Sequence, residues 1–258
     1  MPRMHDHYLR VHNRPEDVDE RELAGSTVIV IDLLRATTTI CQALASGARE
    51  VVPFREIDEA LAAANRVGRA NVVLGGERGG KRIEGFDLGN SPAEYTPEAV
   101  SGRPVFITTT NGTQALYHAR LAGRVVIGAL VNLSATVASV KDERRIDILC
   151  AGTDGCETKE DILVAGAMVG DLEEVPGADW YSNEAARSAF HVWGIQIGKS
   201  VVTSRTIEER LPIDLRNTPG GRNLIEIGLD QDIVDCAQID RLSIVPELDV
   251  RNWRITVP

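Results

Sequence analysis

The chain predicts a layered α/β/α fold whose mainly parallel or mixed sheet is built from strand–loop–helix units, and three observations carry that reading. Short β-branched or apolar runs at 28–31, 105–107 and 146–149 each stop abruptly in polar residues. Each polar tip is followed by apolar residues at helical spacing. Strands alternating with helices of this length place helices on both faces of a sheet.

The first unit is Val28-Ile-Val-Ile, apolar throughout as in a strand covered on both faces, ending in Asp32-Leu-Leu-Arg35-Ala-Thr37-Thr38-Thr39. Ile40, Ala43, Leu44 and Ala48 then recur at helical intervals and Gly47 closes the segment, so 37–48 reads as a helix and 32–39 as the turn into it. In open α/β sheets, ligands gather beyond the carboxyl ends of the strands, where helix N-termini expose N–H groups. Asp32 there can hold a cation and Arg35 an oxyanion; equally, the two can cap the helix and pair with each other.

A helix is expected over 57–67, followed by Val72-Val-Leu-Gly75-Gly76-Glu77-Arg78-Gly79-Gly80-Lys81. As a glycine-rich loop it can converge backbone N–H groups on an anion, with Arg78 and Lys81 supplying charge. It fits neither GxxxxGK[ST] nor GxGxxG, and a solvated hairpin is the plain alternative. Asn90 and Ser91 ahead of Pro92 read as a helix start, with Ser91 capping.

The second unit runs from Val105 through Thr108-Thr109-Thr110-Asn111-Gly112-Thr113 into a helix over 114–122. The third runs from Ile146 through Gly152-Thr153-Asp154-Gly155 into a helix over 157–172. Asp154, Glu157, Glu160 and Asp161 fall in its loop and first turns, and Glu157 and Asp161, four apart, share a helix face. Acids at a helix start are favoured by its dipole. The functional alternative is Mg2+, which takes oxygen ligands and needs one or two carboxylates besides water and substrate oxygens. Asp32 with one acid of the Asp154 to Asp161 group would suffice. Near the C-terminus, Gly220-Gly221-Arg222 before a helical 223–228 is another anion-binding helix start.

Composition bounds the function. The 258 residues, 43% hydrophobic and 26% charged, suffice for one domain (1–258, with 1–24 as an N-terminal arm) or two closely packed lobes. A net charge of −10 disfavours nucleic-acid and anionic-membrane partners. Cys41, Cys150, Cys156 and Cys236 lack CxxC spacing, and no apolar signal region or run near the ~18 residues of a spanning helix occurs, so a reduced, cytoplasmic protein is expected. His5, His7 and His12 lack the spacing of a metal site, and His118 and His191 read as packing or surface residues. No Ser-His-Asp arrangement stands out.

Asp32-Leu-Leu-Arg35-Ala-Thr-Thr-Thr39, Gly75-Gly-Glu77-Arg78, Gly85-Phe-Asp-Leu-Gly-Asn90-Ser-Pro92, Thr109-Thr-Asn111-Gly-Thr113, Cys150-Ala-Gly-Thr153 and Glu160-Asp161, in this order, resemble the ComB-like 2-phosphosulfolactate phosphatase family. So does the tail, with Gly220-Gly-Arg222, Asp232-Ile-Val-Asp-Cys236-Ala237 and Val245-Pro246. The resemblance implies Mg2+-dependent hydrolysis of (2R)-O-phospho-3-sulfolactate to sulfolactate and phosphate, on the route to coenzyme M. The expected partner is thus a small phosphorylated sulfonate or hydroxy acid, and a homodimer is the base-rate assembly.

On that reading Asp32 and Asp161 or Glu157 hold the metal. Arg35 and the backbone of 109–113 cradle phosphate oxygens, with Thr109, Asn111, Gly112 and Thr113 in that loop. Arg78 meets sulfonate or carboxylate, with Lys81, Asn90 and Arg222 as further binding residues. Glu77 or Asp154 activates water; Asp32 as nucleophile is disfavoured because Leu34 stands where a DxD signature needs its second acid. A phosphatase for another phosphorylated hydroxy acid, and a non-catalytic anion-binding protein, are the competing readings.

Overall fold

The computed structural model describes residues 7–177 and 179–258. In chain order these give β1 (His7–His12), β2 (Thr27–Ile31), α1 (Ala36–Ala45), β3 (Glu50–Pro53), α2 (Ile57–Val67), β4 (Val73–Arg78), β5 (Lys81–Arg82) and α3 (Pro97–Val100). Then come β6 (Pro104–Thr108), α4 (Gly112–His118), β7 (Arg124–Gly128), α5 (Leu133–Val140), β8 (Arg145–Cys150), α6 (Lys159–Glu173) and β9 (Trp180–Ser182). The rest is α7 (Glu184–Thr203), α8 (Ile207–Leu215), α9 (Pro219–Glu226), α10 (Asp230–Cys236), β10 (Glu247–Asp249) and β11 (Arg254–Thr256).

Among the described residues the strands form one mixed sheet in the order β5-β4-β6-β3-β11-β10-β7-β2-β8-β1-β9. Two parallel blocks, β4-β6-β3 and β7-β2-β8-β1-β9, are joined by the antiparallel β10–β11 hairpin. The joints are narrow: Glu247 pairs with Val126 on one side and Ile255 with Val51 on the other. Alternation along β2 separates the layers. Ile29 and Ile31 pack with α5, α6 and α7, whereas Val28 and Val30 pack with Ile40, Leu44 and Leu116 of α1 and α4. A third cluster sets Ala60 and Ala64 of α2 against Leu74 and Phe106. Helices therefore cover the sheet in layers, as the alternating pattern requires.

Several boundaries differ from the sequence reading, for identifiable reasons. The segment read as an N-terminal arm carries β1, whose Leu9 and Val11 are buried between β8 and β9. His5 lies outside the described residues, His7 sits edge-on to Trp180, and His12 Nε2 is 2.8 Å from Asp147. The glycine-rich segment is not a loop up to Gly79: Gly75, Gly76, Glu77 and Arg78 continue β4. Their glycines serve close packing, since a Cβ at 75 would overlap Tyr95 Oη and one at 76 the Thr108 carbonyl. The third helix begins at Lys159 rather than 157, and α9 begins at Pro219 behind a Thr218 cap.

Candidate active site

The carboxyl ends of β2, β4, β6 and β8 meet at a cavity of about 290 Å³, lined by Asp32, Arg35, Glu77, Asn90, Asn111 and Asp154 and walled on another side by Gly220 and Asn223 of α9. Both parallel blocks thus deliver strand ends to one place, although the hairpin between them reverses direction.

Asp32, 9% exposed, directs Oδ1 at the Ala36 N–H, 3.1 Å away, which satisfies one free donor at the start of α1. The capping role weighed from sequence is present, but the pairing with Arg35 is not. Gly112 lets α4 come close, because a Cβ there would lie 2.7 Å from Asp32 Oδ2. Behind this turn, Asp161 Oδ1 accepts from Leu33 N (2.9 Å), and Oδ2 accepts from Gly152 N (3.1 Å) and Thr158 Oγ1 (2.9 Å). Asp161 therefore braces the ends of β2 and β8 against each other. Glu160, also buried, leaves Oε2 without a hydrogen-bond partner.

Acids this close in so dry a place resist ionisation. Burial pushes Asp32 up to about 7; Glu77 and Glu160 add to the rise, against the Ala36 N–H and Arg35. Burial, then Asp32 and Glu160, raises Asp161 well above the usual carboxylate range. Burial raises Glu160 too, opposed by hydrogen bonds from its own N–H, Thr218 and Gly220 and by Arg222. A cation or a set of donors arriving in the cavity would reach this cluster through Asp32, its member on the lining.

Arg35 is the cation on the cavity wall, its Nη1 2.5 Å from Asp232 Oδ2 and its Nη2 2.6 Å from the Gly80 carbonyl. Glu77 joins two strand ends: Oε2 accepts from Gly80 N (2.7 Å) and Oε1 from Thr110 N (2.7 Å). Asn90 is 4% exposed, its carbonyl accepts from Thr39 Oγ1 (2.8 Å), and its Oδ1 has no partner. Asn111 Oδ1 accepts from Asp154 N at 3.3 Å, which ties the loops after β6 and β8 together. Thr109 and Thr113 are buried behind that loop and close it on each other, Thr113 Oγ1 donating to the Thr109 carbonyl at 2.8 Å.

Besides Asp161, Thr109, Gly112 and Thr113, which stand behind the lining, four expected residues lie elsewhere. Arg78 is held by the Glu77 and Arg55 carbonyls and Thr108 Oγ1 and does not line the cavity. Lys81 is exposed on β5, and exposed Arg222 donates to the Asn217 carbonyl. Glu157 is exposed and accepts from Asn13 Nδ2 at 2.9 Å. Because α6 starts after it, Glu157 does not share a helix face with Asp161. Ser91 does not cap the short helix at 92–94; its hydroxyl donates to Asp232. Asp232 and Asn223 carry no site role in the sequence reading, while Glu160 is there only as one of the four acids between Asp154 and Asp161, and Thr110 only through the 109–113 backbone. Thr158 as the residue before the helix would have turned attention from Glu157 to Glu160.

A family model described as 2-phosphosulpholactate phosphatase matches residues 12–251. The chain belongs to this family. Among similar proteins, one from Caldanaerobacter subterraneus subsp. tengcongensis is 36% identical over 242 residues, 93% of this chain and 95% of the relative. Another, from Symbiobacterium thermophilum, is 40% identical over 228 residues, covering 87% and 92%. A third, from Thermotoga petrophila, is 37% identical over 222 residues, covering 86% and 88%. All three carry the name "Probable 2-phosphosulfolactate phosphatase". Among the described residues no helix is long and apolar enough to cross a membrane.

Proposed function

We propose that the protein hydrolyses the phosphate monoester of (2R)-O-phospho-3-sulfolactate, releasing 3-sulfolactate and inorganic phosphate, with Mg2+ as cofactor and in a coenzyme M type of pathway. The observation that carries this reading is the buried Asp32 carboxylate, pushed up to about 7 beside Arg35 on a cavity of about 290 Å³, in a chain matched to the family over residues 12–251. A cavity of that size suits a ligand with a three-carbon skeleton.

The donor chemistry fits Mg2+. Among the described residues no three His, Cys, Asp or Glu side chains gather as a ready metal cluster. Mg2+, however, takes one or two carboxylates and completes its shell with water and substrate oxygens. Asp32, on the cavity lining, would be one ligand, and Glu160, buried just behind the lining with its Oε2 orphaned, would be the other; Asp161 is occupied by its three donors. Bound there, the ion supplies charge neutralisation to the phosphoryl oxygens.

Phosphoryl transfer is mainly positioning and electrostatics. Arg35 offers the N–H groups not held by Asp232 and Gly80 to those oxygens. Asn90, Asn111 and Asn223 give neutral amide contacts to the remaining polar groups of the ligand. Asp154, which lines the cavity and is open to solvent, takes the proton of the attacking water as the ester P–O bond breaks, and the departing sulfolactate oxygen takes its proton from solvent. Glu77, held by two backbone N–H groups, shapes the wall.

Phosphate release from phosphosulfolactate, measured with Mg2+, with EDTA and for Asp32→Asn, tests the reading. Release that needs both Mg2+ and Asp32 is expected; no release from a folded wild-type protein would overturn it. One observation favours a second reading, a phosphatase for a less anionic hydroxy acid phosphate: Arg78, Lys81 and Arg222 all lie off the cavity lining. A panel in which phospholactate outruns phosphosulfolactate would favour it.

A further inference from the structure

Arg35 and Asp232 stand 197 residues apart in sequence and meet as a buried pair, Nη1 to Oδ2 2.5 Å, with side chains 2% and 3% exposed. The other oxygen of Asp232 accepts from Ser91 Oγ, also at 2.5 Å, and Arg35 Nη2 donates to the Gly80 carbonyl at 2.6 Å. Four segments thus meet around this ion pair: the β2–α1 turn that carries Arg35, the β4–β5 turn and α10 that touch its guanidinium, and the residues before Pro92 that touch Asp232. Arg35 lines the cavity, whereas Ser91 and Asp232 do not.

A guanidinium is a rigid fork of N–H donors, so fixing two of its nitrogens fixes where the others point. A buried ion pair contributes little net stability, since desolvation offsets its attraction. Stability alone is a weak reason for this pair at a cavity wall.

We infer that Asp232 is the positioning residue for Arg35, with Ser91 holding Asp232 in turn. Asp232 sets the direction of the fork and cancels its formal charge, so that Arg35 meets a bound phosphoryl group as an aimed hydrogen-bond donor rather than as a free cation. The identity of that group rests on the phosphatase reading. Two effects of opposite sign follow when Asp232 loses its charge. Arg35 is left unneutralised beside the cavity, so an anion in its ground state binds more tightly. The fork also loses its aim, so the transition state is stabilised less.

The test uses the full chain, with circular dichroism to show folding, steady-state phosphate release with Mg2+, and calorimetric binding of inorganic phosphate. For Asp232→Asn, kcat is expected to fall roughly 10- to 100-fold while the phosphate Kd tightens roughly three- to ten-fold. Asp232→Glu restores the charge but not the geometry: Kd returns to the wild-type value and kcat stays low. Ser91→Ala keeps the ion pair and lowers kcat less, with Kd unchanged. A folded Asp232→Asn in which kcat and Kd are both unchanged, or both worsen, overturns the inference. Should that variant not fold, an unchanged kcat in both Asp232→Glu and Ser91→Ala overturns it instead. A wild-type protein inert toward phosphosulfolactate refutes the proposed reaction, while the phosphate titration still decides Asp232: a Kd unmoved by Asp232→Asn, or no phosphate binding by the wild type, overturns the inference as well.

Discussion

Replacing Asp32 by Asn should make the protein inert and, without metal, more stable. The side chain is 9% exposed and its carboxyl is raised from 3.8 to about 7 in the folded state. A raised carboxylate means the native state holds a proton that the unfolded chain releases, so stability falls as pH climbs from about 4 to 7. At about 1.4 kcal/mol per pKa unit, the difference between 3.8 and about 7 sets a ceiling of about 4 kcal/mol on the penalty above pH 7. The Asn variant escapes this penalty and can still accept from Ala36 N, but it forgoes the attraction of Arg35; a gain of ~2 kcal/mol at pH 8 is therefore expected, shrinking toward zero near pH 4. Urea unfolding in EDTA across pH 4–8 reads the difference directly. Adding Mg2+ should then stabilise the wild type and not the variant, because only a carboxylate at 32 recruits the ion. A variant less stable than wild type at pH 8 in EDTA, or a stability difference flat across pH, would refute the reasoning.

Further outcomes follow from other contacts. Gly112→Ala places a Cβ 2.7 Å from Asp32 Oδ2 and into Ala36, so phosphate release should fall at least ~10-fold with a loss of ~1–3 kcal/mol in urea unfolding. Gly166→Ala drives a Cβ from α6 into the Ala189 carbonyl of α7; it should lower Tm, with a stability loss of ~2 kcal/mol, while leaving kcat per folded molecule unchanged. Burial raises Asp147, but hydrogen bonds from His12 and Arg10 outweigh it and hold the carboxyl below its ordinary 3.8. Its stabilisation is therefore present above about pH 4 and lost as pH falls further. Asp147→Asn should cost roughly 3 kcal/mol at pH 7 and flatten the acid limb of a urea-midpoint profile.

The strand–turn–helix units were legible because burial on both faces leaves an unbroken apolar run, as in Val28 to Ile31, and because Asp32 and Arg35 break it where a ligand can reach. What was not legible depended on partners distant in sequence. Nothing local marks Asp232 as the partner of Arg35, 197 residues away. Arg78 has the same neighbours in sequence whether it faces a ligand or, as here, the Arg55 and Glu77 carbonyls. Starting α6 two residues early put exposed Glu157 beside Asp161 on one helix face and passed over buried Glu160 of the same acidic group. Gly76 does use the conformational freedom read from sequence, at φ +143, but nothing local showed that the glycines at 75 and 76 also admit Tyr95 and the Thr108 carbonyl.

The β10–β11 hairpin spans residues 247–256, yet it stands between β3 and β7 in the middle of the sheet. During vectorial synthesis both parallel blocks emerge well before the piece that joins them. Until it arrives, β3 and β7 present unpaired backbone edges, the kind of surface that recruits foreign strands. Early release of the nascent chain would thus yield two half-sheets with matching open flanks rather than a merely shortened protein.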